Sequence, residues 1–443
     1  MLTLRCHQLS SPAPSRVRLA AGLIAVLICA PAFGQFDFDG PPIQYSSAPI
    51  STQATRLQDR LRSGEAKLEH EGGRSYLRSV LRELDIPVSS QVLVFSKTSL
   101  QGRRISPENP RALYFNDDTY VGWVPGGDLI EVMSTDPVQG EIFHTLDIEK
   151  TDRPVFHRDQ DNCLSCHATV RTQRVPGALV RSVFPDATGQ PQLASGSFVT
   201  DHRSPFEERW GGWYVTGTHG AMRHMGNQIL AAGGGRGDFD REPGANVTTL
   251  EGRVDVSRYL SPDSDIVALM VLEHQTQMHN ALTLASYEGR LTRHYDQTMN
   301  AALERPEDHI SDITRRRNRS AANNLVEHLL FAGEFPLTDQ VKGTSTFAAD
   351  YAARGPRDSR GRSLRDFDLK TRLFRYPCSP LIYSEAFDRL PAAVRTEVLA
   401  RLREVLTGKD NSKTFEHLTE ADRRAIREIL EETKPDLWRD ATS

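Results

Sequence analysis

The chain has 443 residues, 38% of them hydrophobic, enough to fill one large domain or two ordinary ones. Its formal charge is −4 and its Lys and Arg residues are spread along the chain, which argues against a nucleic-acid footprint or a polybasic membrane patch. Two of the five cysteines, Cys6 and Cys29, fall in the first 34 residues, and the other three are too few for a disulfide framework.

Residues 1–34 read as a cleavable secretory signal: Arg5, Arg16 and Arg18 precede the apolar run LAAGLIAVLICA, and the small residues of AFG follow. The run from Leu19 to Ala30 is short of the roughly 20 apolar residues that span a bilayer. Bulky Ile28 ahead of Cys29 argues against a lipid anchor. The expected mature protein is periplasmic or secreted and has no transmembrane segment. Losing three arginines from a chain of charge −4 leaves it at −7.

Residues 35–53, rich in Pro, Ser and Gly, read as an extended leader. The next region, 54–150, combines helix and strand. Leu57, Leu61 and Leu68, then Leu77, Val80 and Leu81, carry helical spacing as far as Pro87. Beyond Gln91 come the short apolar runs VLVF, ALYF, YVGWV, LIEVM and IFHTLDI, separated by the turn clusters NDD, VPGGD and TDPVQG, which predicts a small antiparallel β region. Residues 151–260 are rich in Gly, Pro and Arg and weakly periodic, as expected of a segment wrapped around a large cofactor.

Residues 261–443 return to helical spacing. One helix follows Pro262 and runs to Gly289, a second lies in SAANNLVEHLLFAGEF, and a third in PAAVRTEVLARLREVLTG, where Val394, Val398, Leu402 and Leu406 recur and Gly408 is the C-cap. A last helix starts at Thr419, with Asp422 completing a capping box. The expected fold is α+β and mainly helical, with a small antiparallel β region ahead of residue 160, an irregular wrapping segment and a helical C-terminal part.

The densest chemical signal is DNCLSCHATV, where Cys163 and Cys166 flank two residues and His167 follows at once. Two thiols at this separation reach the two vinyl groups of one porphyrin, and the adjacent histidine reaches its iron from the same side. A structural zinc is the first alternative, but no second C-x-x-C supplies the remaining ligands. A redox dithiol is the second, but the polar stretch HRDQD ahead of the motif does not suggest the strand-to-helix junction such dithiols occupy.

On Cys163, Cys166 and His167 the chain resembles c-type cytochromes. The segments VPGALVRSVFPD, DHRSPFEERWGGWYVTGTHG and RHMGN also look like parts of uncharacterised secreted bacterial proteins that carry a cytochrome c domain. The resemblance implies one covalently attached haem c, with Cys163 and Cys166 as thioether sites and His167 as the proximal iron ligand. The long stretch before Cys163, and Pro176 and Gly177 soon after His167, depart from the small all-α cytochrome pattern.

Candidates for the opposite axial position are His224, Met225 and His219 in TGTHGAMRHMGN, with His157 as a further possibility. Trp210, Trp213 and Tyr214 are candidate porphyrin contacts, and Arg158, Arg171, Arg174 and Arg181 are candidate propionate partners. On the helix after Pro262, His274 and Met278 share a face, but Glu273–His274 and Glu327–His328 lack the Glu-x-x-His spacing of a bundle metal site. Cys378 reads as a small core side chain.

The sequence therefore points to an exported monohaem c-type cytochrome that passes single electrons to a redox partner protein. A haem-dependent oxidoreductase with an open distal site, peroxidase-like or acting on a small molecule, is one alternative, and a haem sensor or binding protein is another.

Overall fold

The computed structural model describes residues 38–160, 162–410 and 412–439, so the expected signal peptide, 1–34, lies outside the described residues. Gln35–Ser443 form one compact unit. The described part of the leader, though irregular, is tied down: Tyr45 Oη donates to the Glu141 carbonyl at 2.7 Å, and Arg290 donates to the carbonyls of Pro42 and Ile43.

Helix α1 (Gln53–Ser63) starts at Thr52, whose hydroxyl accepts the Thr55 N–H while Thr55 returns the bond, and it ends at Gly64 in the left-handed region. Helix α2 (Leu77–Glu83) follows. Next come strands β1 (Val92–Val94), β2 (Arg111–Phe115), β3 (Thr119–Trp123), β4 (Leu129–Asp136), β5 (Gly140–Asp147) and β6 (Phe156–Asp159), then the single turn α3 (Leu164–His167). Strands β7 (Val180–Val183) and β8 (Ser197–Thr200) form a separate hairpin, and β9 (Trp213–Tyr214) returns to pair with β1.

The main sheet has seven antiparallel strands in the order β6-β5-β4-β3-β2-β1-β9. One face carries Leu93, Ala112, Tyr114, Val121, Trp123, Ile130, Val132, Leu146 and Tyr214 and packs on α1 and α2. The alternate positions, among them Val92, Val94, Phe115, Tyr120 and Trp213, face the first turns of α4 (Ile266–Ala302).

The later half of α4 packs in a helical core with α5 (Asp312–Leu329), α8 (Ala392–Leu406) and α9 (Glu420–Thr433), which the short helix α7 (Glu385–Asp388) joins, while α6 (Phe347–Ala353) packs in the core between sheet and α4. Asp265 caps α4 through its carboxylate, not Pro262.

The stretch HRDQD is not the polar loop expected, since its first three residues, His157–Asp159, belong to strand β6, which leads into helix α3, and two larger expectations about the fold also need correcting. The fold is not mainly helical with a small β region: helix accounts for about 38% and strand for about 14%, and the sheet is a large central layer covered on both faces. The sheet is larger than expected because its outer strands β6 and β9 are too short to leave a periodicity, and β9 comes from beyond the motif, so its pairing with β1 is non-local. The other correction concerns α4, which runs past Gly289 to Ala302. That glycine marks a close approach: a Cβ there would lie 2.8 Å from Pro391 and 2.9 Å from Val394.

Candidate functional site

After β6, Asp159 Oδ1 accepts the Cys163 N–H at 3.0 Å, and the Cys163 carbonyl accepts the N–H groups of Cys166 at 3.2 Å and His167 at 2.9 Å. Residues at i, i+3 and i+4 of one helical turn share a face, so the turn points both thiols and the imidazole the same way. Cys166 is exposed and Cys163 half-buried, and both are free thiols. Burial, reinforced by Asp159 and Glu131, pushes the Cys163 thiol up to about 12, the opposite of the depressed value that activates a redox dithiol.

The imidazole is locked. His167 Nδ1 donates to the Gly177 carbonyl at 2.8 Å, and the Gly177 N–H returns a 2.8 Å bond to the His167 carbonyl. A proton on Nδ1 leaves the Nε2 lone pair free to bind a metal, the usual arrangement behind a metal-ligating histidine. Burial lowers the His167 pKa, which also favours the neutral ring. Phe143 of β5 packs on the imidazole with ring centroids 5.0 Å apart.

Gly177 is itself held from α4. Asn280 accepts the Ala178 N–H at 2.9 Å and donates to its carbonyl at 2.7 Å. A Cβ on Gly177 would come within 2.1 Å of Asn280 Oδ1, so only glycine fits.

Below the motif, on the same sheet face as Phe143, lie Arg111, Leu113, Glu131, Met133 and Thr145, all half-buried. Arg111 reaches over Gly122 to pair with Glu131, and a Cβ on Gly122 would lie 2.3 Å from the guanidinium. The donor set of two thiols and a neutral imidazole on one turn, beside these half-buried side chains, fits a covalently attached haem.

The candidates from TGTHGAMRHMGN lie elsewhere. His219 has both ring nitrogens engaged: Nδ1 donates to the Met222 carbonyl at 2.8 Å, and Nε2 accepts the Asn246 N–H at 3.0 Å. His224 is buried against Trp210 and Phe206, and its Nδ1 accepts the Gly226 N–H at 3.0 Å. Met225 is fully buried with Phe184, Leu230 and Phe239, and its sulfur accepts the Ser182 hydroxyl at 3.6 Å. Met225 therefore belongs to a different apolar cluster from the one that holds Cys163 and Leu164.

Of the candidate contact residues, Trp213 donates from Nε1 to the Arg181 carbonyl at 2.8 Å, Tyr214 points to the opposite face of the sheet, and Trp210 is fully buried. Arg158 is committed to the leader through the Tyr45 carbonyl at 2.7 Å. Arg171, Arg174 and Arg181 form no ion pair among the described residues, and burial lowers the Arg181 pKa. His157 is exposed on edge strand β6.

Sequence reasoning missed the supports of the motif: Asp159, Phe143, Gly177 and Asn280. Pro176–Gly177 was noticed only as a helix break. A second polar cluster was also missed, because its members are far apart in the chain: His202 and His274 meet Nδ1 to Nδ1 at 3.2 Å, and the His328 ring lies 6.0 Å from that of His202. No group of three or more His, Cys, Asp or Glu among the described residues is arranged to hold a metal ion.

No protein-family model, curated protein or solved structure matches the chain. No helix among the described residues is long and apolar enough to cross a membrane.

Proposed function

We propose that this is an exported monohaem c-type cytochrome that passes single electrons to a redox partner protein. Cys163 and Cys166 are the thioether sites, and His167 is the proximal ligand through Nε2. Haem c, when bound, supplies a one-electron iron couple whose potential depends on axial ligation and burial. The chain's part is to hold the imidazole in one tautomer through Gly177, to keep it neutral by burial, and to shield it with Phe143.

The observation that carries this reading is the lock of His167 Nδ1 on the Gly177 carbonyl within a turn that aligns both thiols. The export expectation from residues 1–34 agrees with it independently, since covalent haem attachment in bacteria takes place outside the cytoplasm.

The test is to produce the protein in a bacterium competent for c-type maturation and to measure its intact mass and its spectrum in the oxidised and reduced states. One haem per chain that survives denaturation, and is lost in the double variant Cys163→Ala/Cys166→Ala, is expected. A wild-type protein of unmodified mass under those conditions would overturn the proposal. Adding carbon monoxide to the ferrous protein separates electron carrier from enzyme or sensor: a filled sixth position ignores it, and an open one binds it.

A further inference from the structure

The row of side chains beneath the motif has an order. Registered pairs place Asp159, Phe143, Met133 and Tyr120 side by side on β6, β5, β4 and β3, one strand apart at about 4.8 Å. Asp159 anchors the start of the cysteine turn, and Phe143 carries the His167 ring. Met133 is next in line, a half-buried residue belonging to the same apolar cluster as Cys163, Leu164 and Phe143.

The other methionines among the described residues are placed differently. Met225 lies in the cluster of Phe184, Leu230 and Phe239, Met278 in the helical core and Met299 at the far end of α4; Met222 and Met270 belong to the core between sheet and α4, which Met133 also touches, but of these methionines only Met133 packs in the cluster of Cys163 and Leu164 as well. Among the described residues the Met133 sulfur takes no hydrogen bond, and its position on β4 is fixed by register on both sides, with Tyr120 and with Phe143. A thioether is a soft ligand that suits haem iron paired with an imidazole.

We infer that Met133 is the second axial ligand of the haem held by Cys163, Cys166 and His167, in place of the His219–Met225 loop. The inference rests on the cytochrome reading and goes beyond it by filling the sixth position. An axial ligand on a central strand, with its neighbours hydrogen-bonded on both sides, moves little when the iron changes charge, which suits a carrier better than an enzyme.

The experiment compares the purified oxidised holoprotein with the variants Met133→Leu, Met133→His, Met225→Leu and His157→Gln. The readouts are the near-infrared sulfur-to-iron charge-transfer band, the spin state by electron paramagnetic resonance, and carbon monoxide binding by the ferrous form. Wild type is expected to be low-spin, to show the band and to ignore carbon monoxide. Met133→Leu, which conserves volume, should lose the band and bind carbon monoxide; Met225→Leu and His157→Gln should behave as wild type.

Met133→His should stay low-spin without the band, so the inference remains testable even if the leucine variant folds poorly. A band that persists in both Met133 variants, its absence from wild type, or its loss in Met225→Leu would overturn Met133 as ligand while leaving the cytochrome reading intact. A protein without covalent haem would remove both.

Discussion

His167 and Gly177 are joined by two reciprocal hydrogen bonds of 2.8 Å each, one from the imidazole and one from the backbone N–H. This pairing fixes the side chain that the cysteine turn alone would leave free to rotate, and it reaches α4 through Asn280.

Gly177→Ala would place a methyl group against Asn280 Oδ1 and push the 177–178 segment off α4. The expected cost is about 1–3 kcal/mol of stability, as for overpacking elsewhere, together with a lower yield of haem-loaded protein. Thermal unfolding and the ratio of haem to protein absorbance measure both. An alanine variant as stable and as fully loaded as wild type would mean that the lock is not needed.

Arg209 and Glu273 form an ion pair inside the protein, with side chains 3% and 0% exposed and 3.3 Å between them. Arg209→Leu leaves the carboxylate buried without its partner, and a loss of about 3–5 kcal/mol is expected. Adding Glu273→Leu to that variant should recover part of the loss. A urea-unfolding cycle on the four proteins reads the coupling, and strictly additive losses would contradict the pairing.

Glu141 on β5 is wholly buried, with Oε1 accepting the Thr135 hydroxyl and Oε2 without a partner among the described residues. Burial raises its pKa from the ordinary 4.5 to about 8. Between those values the folded protein keeps a proton that the unfolded chain releases, so this group's contribution makes stability fall as pH rises, by at most about 1.4 kcal/mol per pH unit. Below the lower value both states are protonated and the slope vanishes. Glu141→Gln removes the titration, so its advantage over wild type should grow from pH 5 to pH 8 in urea unfolding; a constant difference would rule the assignment out.

Cys166 is exposed, whereas Cys378 is wholly buried among Ile382, Leu381 and Tyr376 in the helical core. Burial pushes the Cys378 thiol up to about 12. Brief alkylation of native haem-free protein should therefore label Cys166 and spare Cys378, and haem-loaded protein should take no label until it is unfolded. Peptide mapping by mass spectrometry distinguishes the sites, and early labelling of Cys378 would place it outside the core.

The sequence made CLSCH legible because three reactive residue types at fixed offsets leave few other meanings. Helices α8 and α9 were legible for a related reason: Val394, Val398, Leu402 and the Thr419–Asp422 cap are local signals. Gly289 misled because a glycine that admits a neighbouring helix looks the same in sequence as one that ends its own. Met133 stayed hidden inside LIEVM, where alternation assigns it to a face but says nothing of what lies opposite. Its neighbourhood depends on strand register, and register across β4 and β5 emerges only in three dimensions.

Strands β6 and β9 are the two outermost strands of the main sheet, so the segment from Gln160 to Gly212 leaves one edge and returns at the other. On the way it lays His167 over Phe143 and places Val180 in the same core as Val92 and Val94, crossing a sheet roughly 29 Å wide. It works as a buckled strap: both margins of the sheet are fastened by one piece of chain, and the buckle is the cysteine turn. Loosening the buckle slackens both margins together, so amide hydrogens at β6 and at β9, far apart across the sheet, should exchange as one cooperative unit and gain protection together when the strap is drawn tight.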